Sequence, residues 1–472
     1  MTEYYLFLFV CFLLVPLLLI LYFNKLTTGR RSQLPRPPAL PVIGHLHLVG
    51  GFFHKTMQNL ATQYGPIFSL RLGFANCVVV SSAPLADEIF KTHDIDFAQH
   101  PKLALSDDVP YGNCGFFSSP YGDYWRFLRK LVMTELLSSG QLERSRVVRE
   151  EELRQFLRGL LESAEKKEVV NVGVEIMKLA NNSLCRIAMS TRCSEKAHGF
   201  AHGFDELLER LLKEHEDDQI RKIRENEDFM DILLKVCRDG KAEAKMMTRN
   251  HLKAFLVDIF IGGTGTLEEA IVWVMAELIN RPNVFHKLRE EIRSVVGSTR
   301  LVQESDFPSL PYLQAVVKET LRLYPPFPVT PRECIQSCKI GGFEIPQKTA
   351  VLVNLYAIMR DPELWDNPNE FLPERFLASD EQVHKQDRTH VGEAFLTFGA
   401  GRRACPGSKL GLIMMQNAVA AMVQCFDWKF HGDDGHNGNK INMEVGKGAF
   451  LRLAQPLTCL PVVHFNPFAS SI

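Results

Sequence analysis

"AFLTFGAGRRACPG", Ala394 to Gly407, sets a cysteine in a turn of glycines and arginines with a proline directly behind it. A structural cysteine prefers apolar neighbours and is inert, whereas cations and a helix N-terminus favour the reactive thiolate. If Cys405 is the N-cap of the following helix, with Pro406 at the first helical position, its sulfur lies at the positive end of that helix. Gly399, Gly401 and Gly407 let the backbone approach a flat partner without clashing Cβ atoms. Arg403 can meet an anionic edge of such a partner. The pattern predicts a metal-binding thiolate facing a planar group.

A planar iron ligand with anionic edges is haem, and a cysteine axial ligand favours O–O bond cleavage. A rival reading takes Gly399-x-Gly401-x-x-Ala404 as a dinucleotide fingerprint. That fingerprint must open a βαβ unit with an acidic residue about 20 positions on. Phe426 to Lys429 could supply a strand, but too little chain follows for a second half-fold. The haem reading is retained.

Phe398-x-x-Gly401-x-Arg403-x-Cys405-x-Gly407 resembles the haem-binding signature of the cytochrome P450 superfamily. Three further motifs match in chain order: Trp125-x-x-x-Arg129, Glu319-Thr320-Leu321-Arg322, and Pro373-Glu374-Arg375-Phe376. The resemblance implies haem b held by Cys405 in a fold that is mainly α with small β-sheets. It implies that Trp125, Arg129 and Arg332 (in "PREC") face the propionates, and that Glu319, Arg322 and Arg375 form a buried structural network. Phe398, Gly399, Arg403 and Gly407 complete the cofactor loop. Trp125 and Arg129, four apart, share a helix face. Arg126 and Lys130 lie on a neighbouring face, which in the family receives an electron-donating NADPH-dependent reductase.

The longest apolar helical pattern starts at Thr248 and stops at Arg281-Pro282. Its centre reads Gly262-Gly263-Thr264-Gly265-Thr266, and adjacent glycines in a helix cost about 1 kcal/mol each relative to alanine. The reading is that something flat approaches the backbone at Gly262 and Gly263. In the family the same register carries an acid before the threonine that steadies bound oxygen. Thr266 keeps the hydroxyl, but Gly265 replaces the acid. A positioned proton donor is worth about 10² to 10⁴ in rate. Turnover is therefore expected to be slow or to leak peroxide unless Glu268 or Glu269 supplies the proton.

A second departure is length. Only "SEKAHGFAHGFDE" separates Cys193 from the helix-like "LLERLLKEHED", so the family's lid over the substrate pocket is shortened near 193–207. Pocket candidates by family position are Val109, Tyr111, Phe116, Phe117, Ile259, Phe260, Gly263, Thr266, Phe327, Val329, Thr330, Ala449 and Phe450. A phenylalanine-rich lining suits a small aromatic, polycyclic substrate. "GAFLRLAQPLTCLPVVHFNPF" and "CPGSKLGL" resemble plant microsomal members, especially the flavonoid-metabolising group with flavone synthase II, isoflavone synthase and dihydroxypterocarpan hydroxylase.

Outside these motifs, the 472 residues carry 46% hydrophobic side chains and a net charge of -1. That composition buries a core, and its neutral balance argues against a nucleic-acid partner. Tyr4 to Phe23 is uncharged and long enough to span a bilayer, and Lys25, Arg30 and Arg31 after it keep the body in the cytosol. Residues 1–25 are thus expected to anchor the chain in the endoplasmic reticulum membrane, 26–44 to form a basic, proline-rich hinge, and 45–472 the catalytic domain. Eleven irregularly spaced cysteines predict no disulfide framework. Helical spacing predicts helices at 84–92, 141–165, 204–216, 229–237, 281–296, 312–323 and 409–426. A strand is expected at 78–81, with more at 339–354 and near the C-terminus.

Three functions compete. The first is an anchored monooxygenase using O2 and reductase electrons. The second is a haem-thiolate isomerase or dehydratase needing no external electrons, which loss of the acid at Gly265 permits. The third is a haem-binding protein without catalysis, which the short lid would suit.

Overall fold

The computed structural model describes residues 5, 14, 34–101, 111–112, 114–192, 204–217, 227–238, 247–377, 395–431 and 440–469. The principal elements in chain order are α1 (Phe53–Tyr64), β1 (Ile67–Leu72), β2 (Ala75–Val80), α2 (Asp123–Leu131), α3 (Arg146–Lys166), β3 (Val170–Asn171) and α4 (Val172–Met189). Next come α5 (Phe204–Glu216), α6 (Phe229–Arg238), α7 (Arg249–Gly263), α8 (Gly265–Asn280), α9 (Pro282–Val296) and α10 (Pro311–Leu323). The last are β4 (Val329–Glu333), β5 (Cys338–Ile340), β6 (Phe343–Ile345), β7 (Ala350–Asn354), α11 (Ser408–Cys425), β8 (Phe426–Phe430) and β9 (Thr458–Val463). The fold is mainly α with small sheets, as expected.

Burial explains which elements lie at the centre. Residues 270–278 of α8 are buried all round, so this helix sits inside the bundle, packed on α4, α10 and α11. Cys77 to Val80 are four consecutive buried residues, the signature of a strand covered on both faces. Accordingly β2 pairs antiparallel with β1 and parallel with β7, and β4 closes the sheet in the order β1-β2-β7-β4. The strand order β3-β9-β8 makes a second sheet, and β5-β6 is a hairpin. Proline at the first position opens α9 and α10, and Gly297 at φ 82° ends α9.

Most helix limits match to within a residue or two, with three exceptions. The 84–92 helix runs as Ala83–Asp87 and then widens into a π-turn at Glu88–Thr92. The 141–165 pattern divides at Ser145 into Ser139–Arg144 and α3. The long helix from Thr248 is two helices, α7 and α8, joined through Thr264. Among the described residues Cys185 is disulfide-bonded, where the cysteine spacing predicts no framework.

No described helix is long and apolar enough to cross a membrane. Apart from Tyr5 and Leu14, the expected anchor lies outside the described residues, as do Val109 and residues 193–203 of the expected short lid.

Candidate active site

The cysteine turn is fixed by its own backbone. Gly399 and Gly401 adopt φ of 66° and 70°, and the Cys405 N–H donates to the Phe398 carbonyl at 2.9 Å. A Cβ on Gly401 would stand 2.5 Å from both the Phe90 carbonyl and Asp94 Oδ1, so glycine is required there for space as well as for angle. Asp94 accepts from the Arg402 N–H at 2.8 Å, pinning the turn from behind.

The expected N-cap role of Cys405 is corrected. The helix α11 begins at Ser408 with Gly407 as its cap, so Cys405 and Pro406 lie in the turn before it. The sulfur still receives backbone N–H donors from Gly407 and Ser408, which favour the thiolate, as Arg129 does. Burial outweighs them and pushes the thiol up. The side chain is nevertheless exposed, so the sulfur remains accessible. Metal coordination would deprotonate it outright.

Around this turn converge Trp125, Arg129, Arg332 and Arg403. Arg129 Nη1 donates to the Ala404 carbonyl at 2.7 Å. Arg403 differs from expectation: its guanidinium donates to the carbonyls of Ala98 (2.7 Å), Ser119 (2.8 Å) and Phe116 (3.3 Å) and lies 4.3 Å over the Trp125 ring. It latches the loop before α2 onto the cysteine turn. Burial, with Arg332 and Arg129 nearby, lowers its pKa to about 9. Burial likewise lowers Arg332 to about 10.

His100 completes the group and was not among the expected residues. Burial first, then Arg332 and Arg403, hold its pKa down at about 3, and its ring stacks on Phe117 at 5.2 Å. Trp125 is 2% exposed, yet its indole N–H has no partner among the described residues. Crowded cations and an orphaned donor beside an accessible sulfur are what haem propionates would satisfy. The residues present therefore fit haem. Cys405 would hold the iron, with Trp125, Arg129 and Arg332 toward the propionates and Phe398, Gly399 and Gly407 shaping the turn.

The buried network is complete. Arg322 donates to Glu319 at 2.7 and 2.8 Å, and to the carbonyls of Met359, Pro368 and Glu370. All five of its N–H donors are used. Arg375 Nε adds a bond to Glu319 at 3.0 Å.

The junction of α7 and α8 supplies the remaining candidate groups. Thr264 and Thr266 hydroxyls donate to the Phe260 and Gly262 carbonyls at 2.8 and 2.7 Å, competing with the helix ladder where glycines already weaken it. Gly262 faces open space, as a cofactor-facing glycine should. Gly263 does not: a Cβ there would meet Leu184 Cδ1 at 2.7 Å, so its smallness serves packing on α4. Glu268 turns the same way, its Oε1 lying where a Cβ on Gly173 of α4 would go. Glu269, three and four positions beyond Thr266 and Gly265, stays on their face. Burial raises both carboxyls to about 7, with Arg452 opposing.

The substrate candidates divide. Phe327 and Phe450 pair at 4.7 Å with both rings part-exposed, and Phe117 is exposed. Phe116 stacks on Trp125 at 5.8 Å. Phe260 is buried in the main core and Val329 packs on the small cluster beneath α1, so neither stands free as a lining residue. Asp258, unexpected from the sequence, accepts from the Phe117 N–H at 2.8 Å and from Phe116, and clamps this loop to α7. Tyr111 is tied to Asp205 of α5 at 2.6 Å.

The cytochrome P450 family model matches residues 34–200 and 191–452. The chain is 40% identical to cytochrome P450 705A22 of Arabidopsis thaliana, covering 98% of this chain and 97% of the relative. That alignment runs to 508 positions against 472 residues here, so the relative carries at least 36 that this chain lacks. It is 37% identical to cytochrome P450 93B2 of Gerbera hybrida (96% of each chain) and to a beta-amyrin 24-hydroxylase of Glycine max (99% of each). Among solved structures, a zebra fish cytochrome P450 with abiraterone superposes with a TM-score of 0.75 at 25% identity, covering 88% of this chain and 99% of that one.

Proposed function

The chain belongs to the cytochrome P450 family of haem-thiolate monooxygenases, and from that premise we propose that it oxidises a small apolar, polycyclic plant metabolite, in the first instance a flavonoid. The observation that carries the haem assignment is the accessible Cys405 sulfur ringed by Trp125, Arg129, Arg332 and Arg403. Bound through Cys405, the haem supplies activation of O2 and insertion of one oxygen atom into the substrate.

The chain's own residues set the rest. Arg129 and Arg332 hold the anionic edge, and Asp94 and Phe90 fix the turn that aims the sulfur. Thr266 offers a hydroxyl one helical turn from Gly262. We assign the proton to Glu269: it shares a face with Gly265 and Thr266, and a carboxyl held near 7 can both hold and release a proton at neutral pH. Glu268, directed at α4, is left as its electrostatic neighbour.

Electrons would come from an NADPH-dependent reductase docking at exposed Arg126 and Lys130 of α2. Arg126 is paired with Asp123, which a more acidic partner face would displace. The anchor at Tyr4–Phe23 would hold the body on the cytosolic face of the endoplasmic reticulum. The missing positions relative to the Arabidopsis protein, and a family match that divides at 191–200, support a shortened lid and a more open pocket.

The full chain in membranes with reductase, NADPH, a flavanone panel and β-amyrin tests this reading. β-Amyrin is included because a similar protein is named for it. NADPH-dependent product supports the proposal, and a flavanone product supports the substrate class. Electron-independent conversion would favour the isomerase or dehydratase. A haem-loaded chain with neither product nor substrate-induced spectral shift would overturn catalysis.

A further inference from the structure

Beside the cysteine turn, three side chains from two chain segments converge. A ring nitrogen of His93, an Asp96 carboxylate oxygen and Cys338 Sγ lie within 4.8 Å of one another. His93 and Asp96 are hydrogen-bonded at 3.0 Å, and the Cys338 thiol is hydrogen-bonded to that of Cys334. We propose that His93, Asp96 and Cys338, with Cys334 hydrogen-bonded beside Cys338, form a binding site for one zinc-class divalent cation.

The backbone holds the donors as one body. The Ile335 N–H donates to the Asp96 carbonyl at 2.7 Å, joining the turn after the π-helix to the loop between β4 and β5. Cys334 N–H donates to Thr349 O at 3.0 Å, and Lys348 N–H returns to Cys334 O at 2.7 Å. Cys334 is buried, while His93, Asp96 and Cys338 are half-exposed, which leaves an entry path. A tetrahedral zinc with ligand distances of about 2.0–2.3 Å needs donors roughly 3.3–3.8 Å apart. Side-chain rotation of about an ångström closes the present cluster to that size.

The donor chemistry selects the ion. One sulfur, one imidazole and one carboxylate, with the Cys334 sulfur next to Cys338, are a soft, mixed set suited to zinc and unsuited to magnesium or calcium. No lysine or arginine pairs with Asp96 among the described residues; its ion-pair partner is His93. Metal binding would displace the thiol proton of Cys338. The site also reaches the active centre: Asp94, between His93 and Asp96, is the residue that pins Arg402.

The haem-loaded full chain, reduced, stripped with EDTA and titrated with zinc chloride against a chromophoric chelator, tests the site. One zinc per haem is expected. Losing an outer partner of a metal ligand already costs about 10–100-fold in affinity, so Cys338→Ser and His93→Gln should bind at least about a hundredfold more weakly while keeping the reduced-carbonyl spectrum. Cobalt chloride added to the unaltered chain should give tetrahedral bands with thiolate-to-cobalt charge transfer, a readout that needs no variant to fold. Equal zinc binding by wild type and Cys338→Ser, no stoichiometric zinc in wild type, or a cobalt spectrum without a thiolate band would each overturn the proposal.

Discussion

On the Cys405 side, the groups that shape the turn are answered by partners: Arg403 by three carbonyls, Arg402 by Asp94, the Cys405 N–H by Phe398. On the side of Thr264 the helix is interrupted, and two carboxyls sit half-buried with only Arg452 to oppose their burial. The first wall positions a cofactor and gains from rigidity. The second must move protons and admit substrate, which polar groups without fixed partners allow. The four family motifs fall on the first wall and its scaffold, and the departures at Gly265 and the lid fall on the second.

That contrast can be broken from the rigid side. Arg322→Ala leaves the buried Glu319 with only Arg375 and the Leu372 N–H, and opens a gap in the network, which costs about 3–5 kcal/mol. The expected result is little or no haem-loaded protein, read from the yield of the reduced-carbonyl band. Arg322→Lys should not rescue it, since one ammonium cannot replace five fixed donors. A well-folded alanine variant would show that the network is dispensable.

The Thr264 side gives the next effect. Glu269→Gln should lower product formation by about 10²-fold or more and raise peroxide per NADPH consumed, while haem content stays unchanged. Glu268→Gln should do much less. Equal losses in both variants, or none in either, would remove the distinction drawn from the two faces of α8. Gly401→Ala, back on the rigid wall, should cost about 1–3 kcal/mol through strain at φ 70° and collision with Asp94, lowering the thermal midpoint. An unchanged midpoint would mean that both Asp94 and the Phe90 carbonyl yield freely.

The rigid wall was the legible one because its signals are local. Cys405, its glycines and Arg403 stand within ten residues, and Glu319 with Arg322 within one helical turn. What the sequence hid depends on distant contacts. Asp94 meets Arg402 across 308 positions and Asp258 meets Phe117 across 141, and neither pair has a local signature. Arg403 was expected at an anionic edge because its charge is visible in sequence, whereas its three carbonyl acceptors are not. Gly263 was misjudged for a related reason: two adjacent glycines look alike until Leu184 arrives against one of them. The strand β1 escaped notice because Ile67 and Phe68 are buried in succession, which spoils the alternation. The proline behind Cys405 suggested a helix start two residues too early.

The smallest predicted effect concerns pH and belongs to the second wall alone. Burial raises Glu268 and Glu269 from about 4.5 to about 7, so between those values the folded chain binds more protons than the unfolded one. Stability then falls as pH rises, because its slope follows protons bound unfolded minus protons bound folded. The contribution is fully present below about pH 4.5 and is lost as pH passes 7. One fully uptaken proton sets a ceiling of about 1.4 kcal/mol per pH unit, and solvent screening of two half-exposed, mutually repelling groups keeps the real slope well below it. Denaturation of the haem-loaded chain at pH 5.5 and 8, compared with the Glu268→Gln/Glu269→Gln variant, isolates these two groups from Asp258, which burial raises to about 6 in both proteins. A smaller stability loss toward pH 8 in the double variant is expected. An identical pH dependence would mean that both carboxyls are already ionised in the folded chain, and the proton assigned to Glu269 would have no store to come from.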